Sequence, residues 1–439
     1  LNDTLTHRKS MAGGETAVTE AFIDYGHRQG WDHAPAYLLR SLPDHAARTG
    51  LIDTLLTDPD YTLYADLRRL RSAVTAASTE AGRWAGWLLR RTPAVHASPA
   101  QRLAMLSVTE ALNSTDTTYR THRAPAPYRA VWARGASLLT GRTSAMRGVC
   151  AVEVDGRDLL ASASKDRTVR IWDPTTGQRL RQLTGHAGSV NGVCSVRVGD
   201  RDLLASASKD RTVRIWDPAT GAQLHELVGH TDAVRGVCAV EVDGRELLAS
   251  ASSDRTVRIW DPATGMEIRH LVGHADTVRG VCAVRVNGRD LLASASDDGS
   301  VLIWDPVTGT ALHRLTGHTG WVLGLCAVRI TGQELLASAS DDAVVRIWDP
   351  ATGQQVRKLA GHTSWVRGVC AVRVDGRDLL AAADSGRTVR IWDPATGTEL
   401  ALIHTYAIPN GLTSIDPVLF VALGTGLLAV RVSLSSSAR

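Results

Sequence analysis

Apolar and β-branched residues come in short runs along most of the chain after residue 133. Between residues 190 and 228 the runs are Val190–Val198, Asp202–Ser208, Thr212–Asp217 and Ala222–Val228, separated by the turn sequences GDR, KDR and PATG. Runs of this kind, bounded by such turns, predict four strands joined by tight turns. One sheet of four strands cannot cover both of its own faces, so we expect it to stack against similar sheets.

This pattern recurs along the chain. The sequence LLASASKDRTVRIWDP occurs unchanged at Leu159–Pro174 and at Leu203–Pro218, and the motif IWDP returns every 44 residues. Its tryptophans are Trp172, Trp216, Trp260, Trp304, Trp348 and Trp392. A repeat of about 40–45 residues with a Gly-His pair and a terminal Trp-Asp is typical of a propeller blade. The segment from about Ala133 to the C-terminus therefore resembles the WD-repeat β-propeller family.

Strands outside the six complete repeats predict how the ring closes. Three more runs, TSIDP, VLFVALG and LLAVRVS, follow the last Trp-Asp motif, and Ala136–Cys150 aligns with Val356–Cys370. The resemblance implies that Ala136–Thr140 is the outer strand of the last blade and pairs with Leu427–Val432. Closure of this kind removes an exposed sheet edge. We therefore expect a mainly β fold with a seven-bladed propeller.

The resemblance also implies a structural tetrad in each blade. The tryptophan bonds to a serine of the second strand, the serine to the histidine of Gly-His, and the histidine to an aspartate of the second turn. Outside the serines, the residues expected in the best-matched tetrads are His186, Asp210, Trp216, His230, Asp254, Trp260, His274, Asp298, Trp304, His318, Asp342 and Trp348.

The first and sixth repeats depart from this pattern. In the first repeat Arg142 stands at the histidine position, beside Ser162, Asp166 and Trp172. In the sixth repeat Ala382 replaces the serine and Gly386 replaces the turn aspartate. We therefore expect His362 and Trp392 to lack partners, and we expect the sixth blade to open first.

The repeat also accounts for residues that could suggest an enzyme or a metal site. The cysteines fall one per repeat on the predicted inner strand, at Cys150, Cys194, Cys238, Cys282, Cys326 and Cys370. No Cys-x-x-Cys motif occurs, so we expect buried, reduced thiols in a cytoplasmic protein. The histidine–carboxylate pairs recur with the repeat, and no Gly-x-Ser-x-Gly motif occurs. These patterns predict no catalysis, no cofactor and no metal.

The first part of the chain has a helical period instead. SPAQRLAMLSVTEALN begins with Ser98 as a helix N-cap, with Pro99 and Gln101 in the first turn, and it carries an apolar stripe. Gly50 ends another predicted helix. We expect a small helical domain over residues 1–121, a linker over 122–135 and the propeller over 136–439.

The stretch from Gly30 to Leu70, GWDHAPAYLLRSLPDHAARTGLIDTLLTDPDYTLYADLRRL, resembles the helical segment of actinobacterial STAND-type signal-transduction ATPases that carry WD repeats. The chain contains no G-x-x-x-x-G-K-[ST] motif, so the resemblance implies an ATPase domain upstream of this segment. It implies a bacterial sensor whose propeller binds a partner or ligand and controls ATPase or effector activation. A free-standing WD-repeat scaffold with a helical cap is the alternative.

The resemblance places partner contacts on the top face, around the central channel, where three positions per blade point. The residues expected to bind a protein or peptide there are Arg147, Lys165, Lys209, Arg235, Arg279, Asp297, Trp321, Asp341, Trp365 and Arg367. Tryptophan and arginine often carry interface energy, so a partner with an acidic stretch beside an apolar anchor would fit. Inherited repeat residues and drift are the competing explanation, and the opposite face with its PATG loops is the other candidate surface.

Charge and hydropathy restrict the remaining classes of partner. The 439 residues carry a net charge of +4, which argues against nucleic acid as the main partner, although a basic-face nucleic-acid binder stays an alternative. The most apolar run, Pro417–Val432, is shorter than the about 20 residues that a membrane helix needs. We therefore expect no membrane partner.

Overall fold

The computed structural model of the chain describes residues 2–113, 117–134 and 145–433, with side chains from residue 14 onward except at Arg134. Contacts between Cα atoms divide the chain into two compact units, with the boundary after Ala130. The first unit is helical, and the second is built from β-sheets. This division agrees in kind with a helical segment followed by a propeller.

The helical unit begins with a long helix and continues with shorter ones. The helices are α1 (Asn2–Gln29), α2 (Ala36–Thr49), α3 (Ile52–Leu56), α4 (Pro59–Tyr64), α5 (Leu67–Ala73), α6 (Glu80–Arg91) and α7 (Pro99–Asn113), with 3₁₀ turns at Trp31–His33 and Val74–Ala76. Gly50 caps α2 with φ of 77°, a left-handed conformation that glycine adopts without strain. At the start of α7, Gln101 N–H donates to Ser98 Oγ, and Ser98 N–H donates to Gln101 Oε1. This is the predicted capping box.

A single apolar core holds these helices together. The fully buried residues Leu42, Leu55, Leu70 and Leu106 come from four different helices and belong to one cluster. Short helices such as α3 and α4 are marginal in isolation, so their stability comes from this shared core.

The second unit contains seven four-stranded sheets. The first three blades contain β2 (Met146–Val154), β3 (Arg157–Ser164), β4 (Val169–Trp172) and β5 (Arg179–Leu183), then β6 (Val190–Val198), β7 (Arg201–Ser208), β8 (Thr212–Trp216) and β9 (Gln223–Val228), then β10 (Val234–Val242), β11 (Arg245–Ser252), β12 (Thr256–Trp260) and β13 (Glu267–Val272).

The next three blades follow the same order. They contain β14 (Val278–Val286), β15 (Arg289–Ser296), β16 (Val301–Trp304) and β17 (Ala311–Leu315), then β18 (Val322–Ile330), β19 (Gln333–Ser340), β20 (Val344–Trp348) and β21 (Gln355–Ala360), then β22 (Val366–Val374), β23 (Arg377–Asp384), β24 (Thr388–Asp393) and β25 (Thr398–His404). The prediction of a seven-bladed β-propeller is confirmed, because the remaining strands form a seventh sheet.

The seventh blade is assembled from both ends of the propeller unit. Its strand order is β1 (Tyr128–Arg134), β28 (Gly426–Val432), β27 (Val418–Leu423) and β26 (Pro409–Ile415). The predicted outer strand, Ala136–Thr140, lies outside the described residues. The edge of β28 that it was expected to take is occupied by β1, which comes from the segment predicted as a linker. Alternate residues of β1 are buried, as a strand that covers a sheet requires.

Neighbouring blades cover one another's faces. One apolar cluster joins Val213 and Ile215 of the second blade to Leu248 and Trp260 of the third, and equivalent clusters recur around the ring. The first and last blades join in the same way, because Trp132 and Phe420 pack with Trp172.

Close backbone approach also joins the first and last blades. A Cβ built on Gly411 would lie 3.0 Å from the Cα of Gly148 and 3.1 Å from the carbonyl oxygen of Arg147. A larger residue at position 411 would therefore have to push the inner strands of the last and first blades apart.

Candidate functional site

Each of the seven inner strands contains a β-bulge directly after its first residue. In β10, for example, the ladder shifts between Val234 and Gly236, so Arg235 is the extra residue. A bulge disrupts the ladder locally and redirects its side chain. The bulge residues of the seven blades are Arg147, Asn191, Arg235, Arg279, Leu323, Arg367 and Asn410.

The bulges bring these seven side chains together around one cavity, which we call the axial cavity. Its volume is about 320 Å³, and Ala145 and Lys165 complete its lining. The cavity contains five cationic side chains and no carboxylate, because Arg147, Lys165, Arg235, Arg279 and Arg367 all line it. We call the end of the propeller that carries this cavity and the second turns the top face.

Each of the three half-buried arginines of the cavity is held by a second-turn side chain of its own blade, at one equivalent position of the repeat. Arg279 donates from Nε and Nη2 to the two carboxylate oxygens of Asp297, both at 2.7 Å. Arg235 Nε donates to Ser253 Oγ at 2.7 Å, and Arg367 Nε donates to Ser385 Oγ at 2.6 Å. The carboxylate neutralises its arginine, whereas the serines only orient theirs.

Electrostatics at the cavity reflect this crowding of like charges. Burial lowers the pKa of the Arg235 guanidinium, and the nearby charge of Arg279 lowers it further. Burial also lowers the pKa of Arg367, and the charges of Arg147 and Arg279 add to that effect. Arginine stays protonated at any physiological pH, so the cavity keeps a concentrated positive charge.

Two exposed tryptophans lie beside this cavity. Trp321 and Trp365 are 44% and 49% exposed, and their ring centroids are 6.4 Å apart at an angle of 57°. The Arg279 guanidinium carbon lies 5.5 Å from the centre of the Trp321 ring, within the range of a cation–π contact. We call these two residues the tryptophan pair. They extend the charged cavity into an apolar surface.

The remaining predicted contact residues lie outside the cavity lining. Lys209 is exposed on its turn, and its N–H donates to the carbonyl of Ser189. Asp341 N–H donates to the carbonyl of Trp321, and burial raises the pKa of the Asp341 carboxyl, with help from the charges of Asp342 and Asp297. Asp341 therefore belongs to the surroundings of the tryptophan pair.

Asn410 is a lining residue that the sequence prediction missed. A step of 44 from Arg367 leads to Gly411, but the bulge of β26 falls between Pro409 and Gly411, so the equivalent residue is Asn410. Its side-chain amide donates to the carbonyl of Met146, as the Asn191 amide does to the carbonyl of the next blade. In every blade the bulge residue directly precedes a glycine, and this pattern within the chain could have identified Asn410 from the sequence.

Histidine, serine, aspartate and tryptophan meet in blades two to five, as the resemblance implied. In the second blade His186 Nδ1 lies 2.8 Å from Asp210 Oδ2, and His186 Nε2 and Trp216 Nε1 each lie 2.8 Å from Ser206 Oγ. The next three blades repeat this geometry with His230, His274 and His318 as the histidines.

Proton positions in these tetrads follow from the pKa directions. Burial lowers the pKa of His274 and His318, which favours the neutral imidazole. Burial raises the pKa of Asp210, but hydrogen bonds from His186 and Thr212 outweigh it and bring that pKa below its usual range. The carboxylate only accepts, so Nδ1 donates to it and Nε2 accepts the serine proton.

The order Ser–His–Asp in each tetrad is also the order of a hydrolase triad. However, Ser206 is fully buried, and its oxygen accepts the indole N–H of Trp216. A nucleophile must reach the carbon that it attacks. The tetrad therefore functions as a structural link between strands.

The first and sixth blades differ from these four. In the first blade Trp172 Nε1 donates to Ser162 Oγ at 2.8 Å, and Asp166 binds Thr168 and Arg170. Arg142 lies outside the described residues. The expectation that His362 lacks a carboxylate was wrong, because Asp384, at the end of β23, lies 2.7 Å from His362 Nδ1.

The missing serine has the expected consequence in the sixth blade. His362 Nε2 and Trp392 Nε1 are buried without a hydrogen-bond partner in the described structure. Both atoms border the position that Ala382 occupies in place of the serine.

The six cysteines are free thiols. Cys370 is buried, whereas the other five are partly exposed, so the expectation of complete burial was too strong. The exposed part of these residues does not prevent desolvation of their thiol groups, which raises the pKa of Cys150, Cys282 and Cys370 to about 12 and disfavours the reactive thiolate. Within residues 2–113, 117–134 and 145–433, no three metal-binding side chains come together in a way that could hold an ion.

The helices of the described residues include none that is long and apolar enough to cross a membrane.

The family described as WD domain, G-beta repeat matches residues 137–173, 177–217, 221–261, 265–305, 309–349 and 353–393. The chain belongs to the WD40-repeat family. The five matches from residue 177 onward each start before the outer strand of one blade and extend through the third strand of the next, so repeat and blade are offset by one strand. The first match starts at residue 137, after β1. No curated protein matches the chain.

Proposed function

We propose that this WD40 propeller is a non-catalytic interaction module whose top face binds a protein partner. One observation carries the proposal: a cavity lined by five cations lies directly beside two exposed tryptophans. Tryptophan rings are usually buried in folded proteins, so two half-exposed rings side by side are unusual. Tryptophan and arginine are also the residues that most often dominate the binding energy of an interface.

The geometry defines the chemistry of the partner. The tryptophan pair offers an apolar anchor site, and the axial cavity offers a positive field within reach of it. A segment that presents an apolar or aromatic side chain next to negative charge would complement both. Buried, redundant serine–histidine–aspartate sets favour a structural role for the groups that would otherwise suggest an enzyme.

The proposal is tested by removing the apolar half of the site. The variant Trp321→Ala/Trp365→Ala and the wild type are used to capture proteins from a lysate of the native host, and each captured protein is then purified and titrated directly. We expect at least a tenfold loss of affinity, the size of a typical interface hot spot. Both changes are at the surface, so the melting temperature should move little.

A matched control comes from the outer strands. Leu224→Ala/Leu312→Ala removes side chains of similar exposure, 44% and 45%, on β9 and β17, away from the axial cavity. This control should keep full affinity. If the tryptophan variant binds every captured protein as tightly as the control does, the top face is not the site.

The position of this module in a larger system is a further part of the proposal. The resemblance of Gly30–Leu70 to the helical segment of STAND-type ATPases supports a sensor that acts on an ATPase or effector. Sequencing of the reading frame upstream of Leu1 tests it, and a frame without a P-loop motif favours the free-standing scaffold.

The arginine cavity also makes nucleic acid a second candidate partner. Phosphate-backbone binding weakens steeply with salt. A shallow salt dependence of capture between 50 and 200 mM, or no binding to a generic duplex, would exclude this class.

A further inference from the structure

The axial cavity holds more positive charge than its surroundings balance. Five cations line it, and among the described residues the one carboxylate bound to any of them is Asp297, which pairs with Arg279. Within the described residues, Arg147, Arg235 and Arg367 form no ion pair with a carboxylate. The pKa of Arg235 and Arg367 is lowered by burial and by the other arginines, and for Arg235 these effects outweigh the opposing charges of Asp232 and Asp297, so the arginines repel one another across the cavity.

One position per blade decides whether an arginine is neutralised. At this second-turn position the fourth blade has Asp297, the third has Ser253 and the sixth has Ser385. The serines bond only to Nε of Arg235 and Arg367, and no residue that the structure describes takes a hydrogen bond from their terminal amino groups. These arginines are therefore oriented but not neutralised.

We propose that the axial cavity binds a phosphate group that carries two or more negative charges. This inference rests on the proposed function, because it names the chemical group that the same face would take from its partner. A phosphate dianion presents several strong acceptor oxygens and matches the forks of more than one guanidinium. A carboxylate carries a single charge and would leave most of the cavity charge unbalanced.

Two sources can supply this group: a phosphorylated side chain of a protein partner, or a free inorganic polyphosphate. The distinction depends on the tryptophan pair, which lies beside the cavity and can contact only a ligand that extends beyond the phosphate. The probes are inorganic tripolyphosphate, a hexapeptide with one phosphoserine next to leucine, and the same peptide with glutamate in place of phosphoserine.

Binding is measured by isothermal titration calorimetry on the full chain at constant ionic strength. We expect Arg235→Gln/Arg367→Gln to weaken binding of tripolyphosphate at least tenfold. The matched control is Arg329→Gln/Arg373→Gln, which removes the same charge at the opposite ends of β18 and β22, where both arginines are more than half exposed. Equal binding by the wild type, the variant and the control would overturn the proposal.

A second pair of variants changes the neutralising residue and keeps every arginine. Ser253→Asp/Ser385→Asp copies the arrangement of Asp297 and should weaken tripolyphosphate binding at least tenfold. Asp297→Ser frees Arg279 and should strengthen it several-fold. Opposite signs for these two variants support the proposal even if the arginine variant fails to fold, and changes of the same sign overturn it.

The peptide arm separates the two sources. A protein source requires the phosphoserine peptide to bind more tightly than its glutamate counterpart and to lose affinity in Trp321→Ala/Trp365→Ala. Binding of tripolyphosphate alone, unaffected by that variant, assigns the site to free polyphosphate. Failure of the proposed function has a different signature, since it shows in partner capture by the tryptophan variant and leaves phosphate binding intact.

Discussion

Blades five and six each have a histidine and a tryptophan at equivalent positions, but they differ in the residue that lies between the two rings. In blade five Ser338 Oγ lies 2.8 Å from both His318 Nε2 and Trp348 Nε1. In blade six Ala382 has the same place in the ladder, and the equivalent ring nitrogens have no partner in the described structure. Blade six therefore keeps its fold with two buried ring nitrogens unsatisfied, in addition to Arg390 Nε, whose equivalent in blade five, Arg346 Nε, also lacks a partner in the described structure.

The carboxylate of the tetrad behaves differently from the serine. Asp342 of the second turn binds His318, whereas in blade six Asp384 reaches His362 from the end of the strand. Thr388 supports Asp384 through both its N–H and its hydroxyl. A carboxylate can therefore bind the histidine from either of two backbone positions. The serine must lie between two fixed rings, so only one position suits it.

Removal of the serine from blade five should have the largest effect. Ser338→Ala would leave His318 Nε2 and Trp348 Nε1 buried and unsatisfied, and each such group costs about 1–3 kcal/mol. We expect the free energy of unfolding to fall by about 3 kcal/mol, measured by urea denaturation. Thr352→Ala, which loses two exposed hydrogen bonds in a turn, should cost under about 0.5 kcal/mol. Similar losses in both variants would mean that the serine link contributes little.

Most of the propeller could be predicted from sequence because one unit is repeated. Strand lengths, turns and the tryptophan position recur at intervals of 44, so an error in one blade is corrected by the next. The closing strand could not be read in this way. It has no repeat neighbour upstream, and the consecutive apolar residues of YRAVWAR (Tyr128–Arg134) hide the alternation that the structure shows in the burial of Tyr128, Ala130 and Trp132.

The positions of the candidate site residues could be predicted from the sequence, but which of the arginines are neutralised could not. The periodicity indicates which residues surround the axis, and Arg147, Arg235, Arg279 and Arg367 all lie there. Whether an arginine is neutralised depends on side-chain geometry, because Asp297 binds two guanidinium nitrogens where a serine binds one. Asp384 as a replacement carboxylate was missed for the same reason, since it stands at the position of a serine in the other repeats.

The reverse substitution should stabilise blade six by a smaller amount. The ring centroids of His362 and Trp392 are 6.5 Å apart, against 6.3 Å in blade five, so the space for a serine oxygen is retained. Ala382→Ser would add two hydrogen bonds with a net contribution of about 0.5–1.5 kcal/mol each, so we expect a gain of about 1–2 kcal/mol.

Hydrogen exchange should localise this gain. We expect the amides of Gly376–Trp392 to exchange faster than those of Gly244–Trp260 in the wild type and to slow in Ala382→Ser. Ala383→Ser is the matched control. It buries a hydroxyl on the other face of β23, where the described residues offer no unsatisfied nitrogen to bond it, so it should destabilise the protein. Stabilisation by both variants, or by neither, would contradict the missing-serine explanation.

The smallest difference between the two blades should be the contribution of Asp342 and Asp384 to the free energy of unfolding, and its pH dependence can be measured. Burial raises the pKa of Asp384, but hydrogen bonds from His362 and Thr388 outweigh it, and the same balance with His318 lowers the pKa of Asp342. A carboxyl whose pKa is lower in the folded state stabilises the protein above its unfolded pKa of about 3.9, and this contribution is lost as the pH falls through the folded pKa. Asp384→Asn and Asp342→Asn should therefore each lose roughly 1 kcal/mol at pH 7 and show a shallower decline between pH 4 and pH 2 than the wild type. Equal losses, measured by urea denaturation across that range, would show that the carboxylate works as well from the strand as from the turn. A loss confined to Asp342→Asn would show instead that the contact of Asp384 with His362 contributes nothing to stability.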